Sequence, residues 1–244
     1  MRNNAIKITN LTKKFKSVTA VDNLSLVINE GELFGLLGVN GAGKSTTIKI
    51  LSGLIKPDSG DAFIFNKSIV REGNLVKEYI SVSLQETSIA RNLTVKENLE
   101  FYASIFNLSN EERQKRINEI IAQFNLNEVL TKRAKTLSGG WQRKLSISLS
   151  LISSPKVLFL DEPTLGLDVL ARRELWKIIK DLKNKMTIIL TTHYMEEAEE
   201  LCDNIAIMAN GKIKEIGSAE ELIRKTNAKN FEDAFVKIAT GGNE

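Results

Sequence analysis

The sequence predicts an α/β domain, and three observations carry that expectation. Val157-Leu158-Phe159-Leu160 is a run of four apolar residues, the pattern of a strand buried on both faces of a parallel sheet. Strand-like and helix-like patterns alternate after it: a helix over 170–183, then a second apolar strand, Thr187-Ile188-Ile189-Leu190. Much earlier, the short strand pattern Glu32-Leu33-Phe34-Gly35-Leu36-Leu37 runs through a glycine-rich segment into the helical run Thr46-Thr47-Ile48-Lys49-Ile50-Leu51.

The remaining elements follow in order. Residues 6–10 and 20–28 alternate apolar and polar side chains, and Asn29-Glu30-Gly31 turns the chain toward the 32–37 strand. Lys56-Pro57-Asp58-Ser59-Gly60 is a turn by composition; 61–65 and 80–84 return to strand pattern. From Thr94 the period changes. Val95, Leu99, Tyr102 and Phe106, then Ile117, Ile120, Ile121 and Phe124, recur at three- to four-residue steps. Residues 94–152 are therefore expected to form a helical insertion with these side chains as its core. Residues 205–208 and 212–216 flank Asn210-Gly211, a hairpin signal, because both residues tolerate a positive φ. Ser218-Ala219-Glu220-Glu221 has capping-box spacing. The expected organisation is one domain over 1–244. Its α/β core occupies 1–93 and 153–225, its helical part 94–152, and a C-terminal helix with a frayed tail 226–244.

Bulk properties narrow the function classes. At 244 residues, with 42% hydrophobic and 26% charged side chains, the chain suits a globular domain with a sizeable core. No apolar run approaches the ~18 residues of a membrane span, and residues 1–5 lack the apolar segment of a secretory signal. The single cysteine, Cys202, is expected to pack as a small apolar side chain and fits a reducing compartment. A net charge of +4, spread over 34 basic and 30 acidic residues, gives no reason to expect a nucleic-acid partner.

Gly38-Val39-Asn40-Gly41-Ala42-Gly43-Lys44-Ser45 has the G-x-x-x-x-G-K-[ST] spacing of a loop that wraps a nucleoside triphosphate. Glycines let backbone N–H groups close on a polyanion; Lys44 reaches the terminal phosphates, and the Ser45 hydroxyl is placed to ligate magnesium. Thr46 opens the helix whose free N–H groups favour the same anion. A glycine-rich turn before any helix reads similarly in isolation, but the buried strand feeding this one favours the phosphate loop. Asp161-Glu162 follows the 157–160 strand directly. One carboxylate there suits the magnesium shell and its neighbour suits work on water, although paired acids at a strand end are also an ordinary solvated edge. Leu137-Ser138-Gly139-Gly140 precedes an amphipathic run through Leu145, Leu149 and Ile152, so it is either a second anion site or a capped helix. His193, the one histidine, comes just after Thr191-Thr192.

The order of these pieces decides among the alternatives. The 38–45 loop, Gln85 after its strand, Leu137-Ser138-Gly139-Gly140, the strand into Asp161-Glu162, Pro163-Thr164-Leu165-Gly166-Leu167-Asp168 and His193 together resemble the ATP-binding subunit of an ABC transporter over nearly the whole chain. The resemblance implies a P-loop NTPase of ABC ATPase type, with a mixed parallel core sheet, an N-terminal antiparallel β part and a helical subdomain. It implies ATP and Mg2+. Gly38, Asn40, Gly41, Ala42, Gly43, Lys44 and Thr46 would hold phosphates, with Lys44 on the β- and γ-phosphates. Ser45, Gln85 and Asp161 would organise magnesium. Glu162 would act as general base toward water, and His193 would contact the γ-phosphate. Ser138, Gly139 and Gly140 would close that phosphate from a second copy, Asp168 would lie at the seam, and Phe15 stands where an aromatic stacks on adenine. The implied assembly is a homodimer at the cytoplasmic face of a membrane, peripheral through a separate integral-membrane permease. The stretch from Glu86 through Leu93 is the candidate docking surface.

Gln85-Glu86, the run 92–99 and Phe231-Glu232-Asp233-Ala234-Phe235 further resemble drug-resistance-type exporter ATPases that serve type-two ABC permeases. Trp141 departs from the commoner glutamine, Phe15 from the commoner tyrosine, and Leu149 from a frequent arginine. The rival readings are a soluble ABC ATPase acting on ribosomes or DNA, and a small-molecule kinase. The first lacks a second cassette or long coiled coil here, and the second has no need of Leu137-Ser138-Gly139-Gly140.

Overall fold

Two long antiparallel strands, β1 (Asn4–Phe15) and β2 (Val18–Asn29), open the structure, a computed structural model that describes residues 3–106, 108–183 and 185–241. Both outrun the expected 6–10 and 20–28. Register shifts along the pair, with a φ of 50° at Asn10, break the two-residue alternation while leaving the strands paired. β3 (Leu33–Leu37) is buried at every position and feeds the glycine loop. The helix after it, α1 (Lys44–Leu51), begins before Thr46 because the Gly43 carbonyl already accepts the Thr47 N–H at 2.9 Å. β4 (Ser59–Ile64) returns to β1, and β5 (Lys67–Ser68) completes an antiparallel sheet ordered β2-β1-β4-β5. A short α2 (Gly73–Lys77) and β6 (Ile80–Ser83) follow.

The next stretch is helical: α3 (Val95–Ile105), α4 (Asn110–Gln123), 3-10 turns at Leu126–Val129 and Ala134–Thr136, and α5 (Gly139–Ser150). Thr94 with Glu97, and Ser109 with Glu112, start α3 and α4 through capping boxes. Val95, Leu99, Ile117, Ile120 and Phe124 are buried together, with Tyr102, Phe106 and Ile121 half-buried against them. This core does not stop at the helices. It runs on into Leu158, Leu160, Ile188 and Leu190 of the sheet.

β7 (Val157–Asp161), α6 (Val169–Leu182), β8 (Thr187–Thr192), α7 (Met195–Leu201), β9 (Asn204–Ala209), β10 (Lys212–Gly217), α8 (Ala219–Thr226) and α9 (Phe231–Thr240) complete the fold. The second sheet is ordered β10-β9-β3-β8-β7-β6, parallel from β9 to β6 with β10 antiparallel at the edge. Val157, Phe159 and Ile189 face the antiparallel sheet while Leu158, Leu160 and Ile188 face the helices, which is why these strands are apolar throughout. Asn210 and Gly211 have φ of 51° and 75°, the turn expected between β9 and β10, and Ser218 opens α8 through its capping box. The expected frayed tail beyond Gly241 lies outside the described residues, as do Met1 and Arg2 of the N-terminal stretch. No helix among the described residues is long and apolar enough to cross a membrane.

One feature of this topology positions the site. β3, β8 and β7 are parallel neighbours, with Leu37 beside Thr192 and Asp161 beside Thr191, so the segments leaving all three strands emerge at one edge. Ligands of open α/β sheets bind at that carboxyl edge.

Candidate functional site

The glycine loop is wedged rather than draped. Gly43 has a φ of 106°, and a Cβ there would lie 2.3 Å from the Ala20 carbonyl oxygen, so no side chain fits. On the other flank, the Gly211 N–H donates to the Ala42 carbonyl at 3.1 Å while the Gly211 carbonyl accepts the Asp22 N–H at 2.9 Å. β2 and the β9–β10 turn thus brace the loop from both sides. Lys44 is buried, and its Nζ donates to the Gly38 and Val39 carbonyls at 2.7 and 3.3 Å and pairs with Glu162 Oε1 at 3.4 Å. A cavity of about 530 Å³ opens over this loop, lined by Asn40, Gly41, Ala42, Gly43, Lys44, Ser45 and Thr46, with Val18, Ala20, Gln85, Glu162, Leu165 and His193.

The two acids are held by a residue that the sequence reading passed over. Thr191 Oγ1 donates to Asp161 Oδ1 at 2.6 Å and accepts the Glu162 N–H at 3.0 Å. The Thr191 carbonyl accepts the same N–H at 3.1 Å. Glu162 consequently sits at a φ of 49°, unusual for a side chain with a Cβ and the kind of strain that clusters at functional sites. Its Oε2 lies 2.7 Å from His193 Nδ1. A carboxylate only accepts, so the imidazole proton belongs on Nδ1 and Nε2 is left for another partner. Hydroxyls ending a fully buried strand, Thr191-Thr192, were the available signal.

Ser45 Oγ donates to Asp161 Oδ1 at 2.9 Å, bringing one hydroxyl and one carboxylate together from opposed elements. Among the described residues no three His, Cys, Asp or Glu side chains gather to hold a metal unaided. That sparse oxygen set fits Mg2+, which keeps waters and takes one or two protein ligands beside substrate phosphates, and does not suit a metal held by a full protein cage.

Arg143 is the second residue that sequence reasoning missed. It lies on α5, is buried, and donates through Nε to the Pro163 carbonyl at 2.8 Å and through Nη2 to the Asp161 carbonyl at 2.8 Å. Nη1 reaches the Leu84 and Gln85 carbonyls at 2.6 and 3.2 Å. One guanidinium therefore ties the helix after Ser138-Gly139-Gly140 to the ends of β6 and β7. Burial pulls its pKa down to about 10, against the pull of Asp161, Glu197 and Glu162, so it remains a cation at neutral pH. Arg143→Met is expected to lower stability by about 1–3 kcal/mol, since it strands buried carbonyls that the guanidinium satisfies. Urea unfolding measures this; an unchanged midpoint would count against the clamp.

The other expected residues, Gln85 excepted, stand apart from the cavity. Phe15 ends β1, 47% exposed, with Lys13 Nζ 5.5 Å from its ring centroid. Ser138 caps α5, accepting the Trp141 N–H, and a Cβ on Gly139 would meet nothing within 4 Å. Gly140 is tighter, its added Cβ 3.0 Å from that of Ala171. Asp168 caps α6 through the Leu170 and Ala171 N–H groups, both at 3.0 Å. Gln85 is exposed at the cavity rim. The structure also accounts for two sequence departures: Trp141 carries the Lys144 ammonium 4.2 Å over its ring, and Leu149 is buried in the helical core.

Comparison with known proteins gives this geometry its family. The sequence profile described as ABC transporter matches residues 21–165. The "Probable multidrug ABC transporter ATP-binding protein YbhF" of Escherichia coli (strain K12) is 35% identical over 241 residues, covering 96% of this chain and 41% of its own length. This chain spans less than half the length of the first curated relatives it matches. An "ATP binding subunit of ABC transporter" of known structure superposes with a TM-score of 0.84 at 27% identity, covering 96% of this chain and 99% of that one. The ATP-binding cassette MJ0796, a dimer in a post-hydrolysis state bound to ADP and Pi, superposes at 0.78 and 27% identity over 87% of this chain and 98% of its own. The chain belongs to the ABC transporter family and is an ATPase domain of it.

Proposed function

We propose that this chain binds Mg-ATP over the 38–45 loop and hydrolyses it within a dimer of two copies, powering a separate membrane permease that exports its cargo. The observation that carries the reading is the meeting of Lys44, Glu162 and His193 at one cavity mouth, with Ser45 and Asp161 joined beside them. Lys44 leaves the Gly38 and Val39 carbonyls for the β- and γ-phosphates. Glu162 then accepts the proton of the attacking water, positioned by His193 Nδ1, while His193 Nε2 is available to the γ-phosphate. Ser45, Asp161 and Gln85 would hold Mg2+, which when bound would neutralise charge building on the phosphate oxygens.

Half of the chamber comes from the second copy. Packing within this chain does not demand a glycine at 139, whereas close approach of a phosphate to the N-terminus of α5 does. Leu165, Val169 and Leu170 are 40%, 56% and 80% exposed around Asp168, an apolar patch suited to the seam. Phe15 offers the π-face for adenine. The permease docks on the stretch from Glu86 through Leu93, continued by Phe101 and Ile105 of α3, which are 53% and 64% exposed. The export direction rests on the multidrug description of the Escherichia coli relative and on the 92–99 and 231–235 runs. The complex places this chain at the cytoplasmic face.

Hydrolysis per molecule is expected to rise with protein concentration until dimers saturate, and Glu162→Gln with Mg-ATP is expected to sediment as a dimer. A rate that stays flat on dilution, with the variant monomeric in excess ATP, would sink the two-copy reading. Affinity capture from membranes should recover an apolar multi-span protein; charge reversal across 86–93 that leaves this recovery intact removes the docking surface.

A further inference from the structure

Beside the Glu162–His193 pair lies a carboxyl that none of these steps uses. Glu197, on α7, is 0% exposed. Its Oε1 accepts the Trp176 Nε1–H of α6 at 3.0 Å. Its Oε2 has no hydrogen-bond partner among the described residues, and neither does the buried hydroxyl of Thr164, two residues beyond Glu162. An ionised carboxylate in such a place would need several donors, and one indole N–H is too few. Thr164 and Thr192 are nonetheless near enough to Glu197 to act on its charge. A hydroxyl can donate or accept, so a single bond between Oε2 and Thr164 Oγ1 would satisfy both orphans. With the Trp176 Nε1–H as the one donor to Glu197 among the described residues, burial favours the form in which Oε2 carries the proton.

We propose that Glu197 is a positioning residue carried as the neutral acid, its Oε2–H donated to Thr164 Oγ1, which ties the helix behind His193 to the segment directly after Glu162. The proposal rests on the hydrolytic reading of this site. Its consequence is geometric. Glu162 and His193 touch each other at 2.7 Å but arrive on separate strand ends, β7 and β8. Trp176, Glu197 and Thr164 form a second tie behind that contact, from α6 through α7 to the 163–168 segment. Without it, base and histidine are free to shift against each other, and displacements near 1 Å at a catalytic group cost about 100-fold in rate.

The electrostatic surroundings agree. Burial pushes the Glu197 carboxyl above the usual range and the Glu162 carboxylate adds to this, while the Thr192 and Thr164 hydroxyls and the Trp176 N–H pull the other way. Arg143 on α5 and Cys202 after α7 are the other titratable groups that share its field. A carboxyl whose folded pKa is raised contributes its stability below the ordinary carboxylate pKa and loses it as pH climbs toward the raised value. Glutamine keeps the shape and the donor without the proton to lose.

The test compares Glu197→Gln, Glu197→Ala and Thr164→Val in the full chain. Glu197→Ala and Thr164→Val are expected to lower kcat about 10- to 100-fold with KM for ATP within about twofold, and the double variant to be no slower than the worse single. Glu197→Gln is expected to restore kcat to within about threefold of the wild type. Independently of turnover, the Tm of Glu197→Gln minus that of the wild type should widen as pH rises above the ordinary carboxylate range, by about 3 °C per pH unit until the raised pKa is reached. A gap flat in pH, or a glutamine variant as slow as alanine, overturns the neutral acid. Should the wild type hydrolyse no ATP, the functional reading falls while the thermal comparison still decides whether this carboxyl holds a proton.

Discussion

Glu162→Gln is expected to lower ATP turnover by about 10²–10⁴-fold, the usual worth of a positioned base, while ATP still binds. The geometry explains why the loss is so selective. Glu162 Oε1 and Oε2 are engaged by Lys44 at 3.4 Å and His193 at 2.7 Å, and the backbone is fixed by Thr191. Glutamine fills the same volume at the same strained φ of 49°, so the cavity keeps its shape. What it lacks is an oxygen able to accept a proton from water. Removing the negative charge beside Lys44 also frees that ammonium for phosphate, so affinity is expected to hold or improve. Single-turnover kinetics with calorimetry on the same preparation separates the two effects. A variant turning over at the wild-type rate would remove Glu162 from the base role.

Lys44→Ala is expected to fail at the earlier stage, weakening ATP binding about 10- to 100-fold through loss of a charge-assisted contact to phosphate. The ammonium is already dehydrated: it is buried against the Gly38 and Val39 carbonyls and Glu162. Moving it to a phosphate exchanges one set of buried partners for another, and little water has to be stripped at that moment. Alanine also leaves the Glu162 carboxylate without its cation, next to an incoming polyanion. Calorimetric affinity at fixed salt is the measurement, and an unchanged Kd would contradict the phosphate-loop assignment.

The parts of the fold legible in the sequence were those whose cause is local. Four apolar residues at 157–160 announced a strand covered on both faces, Asn210-Gly211 announced a positive-φ turn, and Ser218 with Glu221 announced a helix start. The full length of β1 and β2 was hidden because register shifts scramble the alternation that marks a strand. The position of β8 between β3 and β7 was hidden for a different reason: strand order is a property of tertiary packing and leaves no periodic trace. The site divides along the same line. Residues 38–45 stood out through spacing, Asp161 and Glu162 through the apolar strand before them, and His193 through the family resemblance, and the fold gathers them at one edge. Thr191 needed the strand order to be seen. Arg143 satisfies itself on backbone carbonyls, which every residue possesses, so no acidic partner in the sequence pointed to it. Glu197 lies in a run with Glu196, Glu199 and Glu200 that reads as a solvated acidic face, yet it alone of the four is buried.

The bracing of residues 38–43 between the Ala20 carbonyl and the Gly211 turn has a thermodynamic meaning for the whole cycle. A cradle already rigid before its guest arrives loses little chain entropy on loading, so the favourable free energy of nucleotide capture is not absorbed in organising the cradle. Under the proposed two-copy reading it stays available for drawing two such domains together, and thereby for mechanical work on whatever they are fastened to.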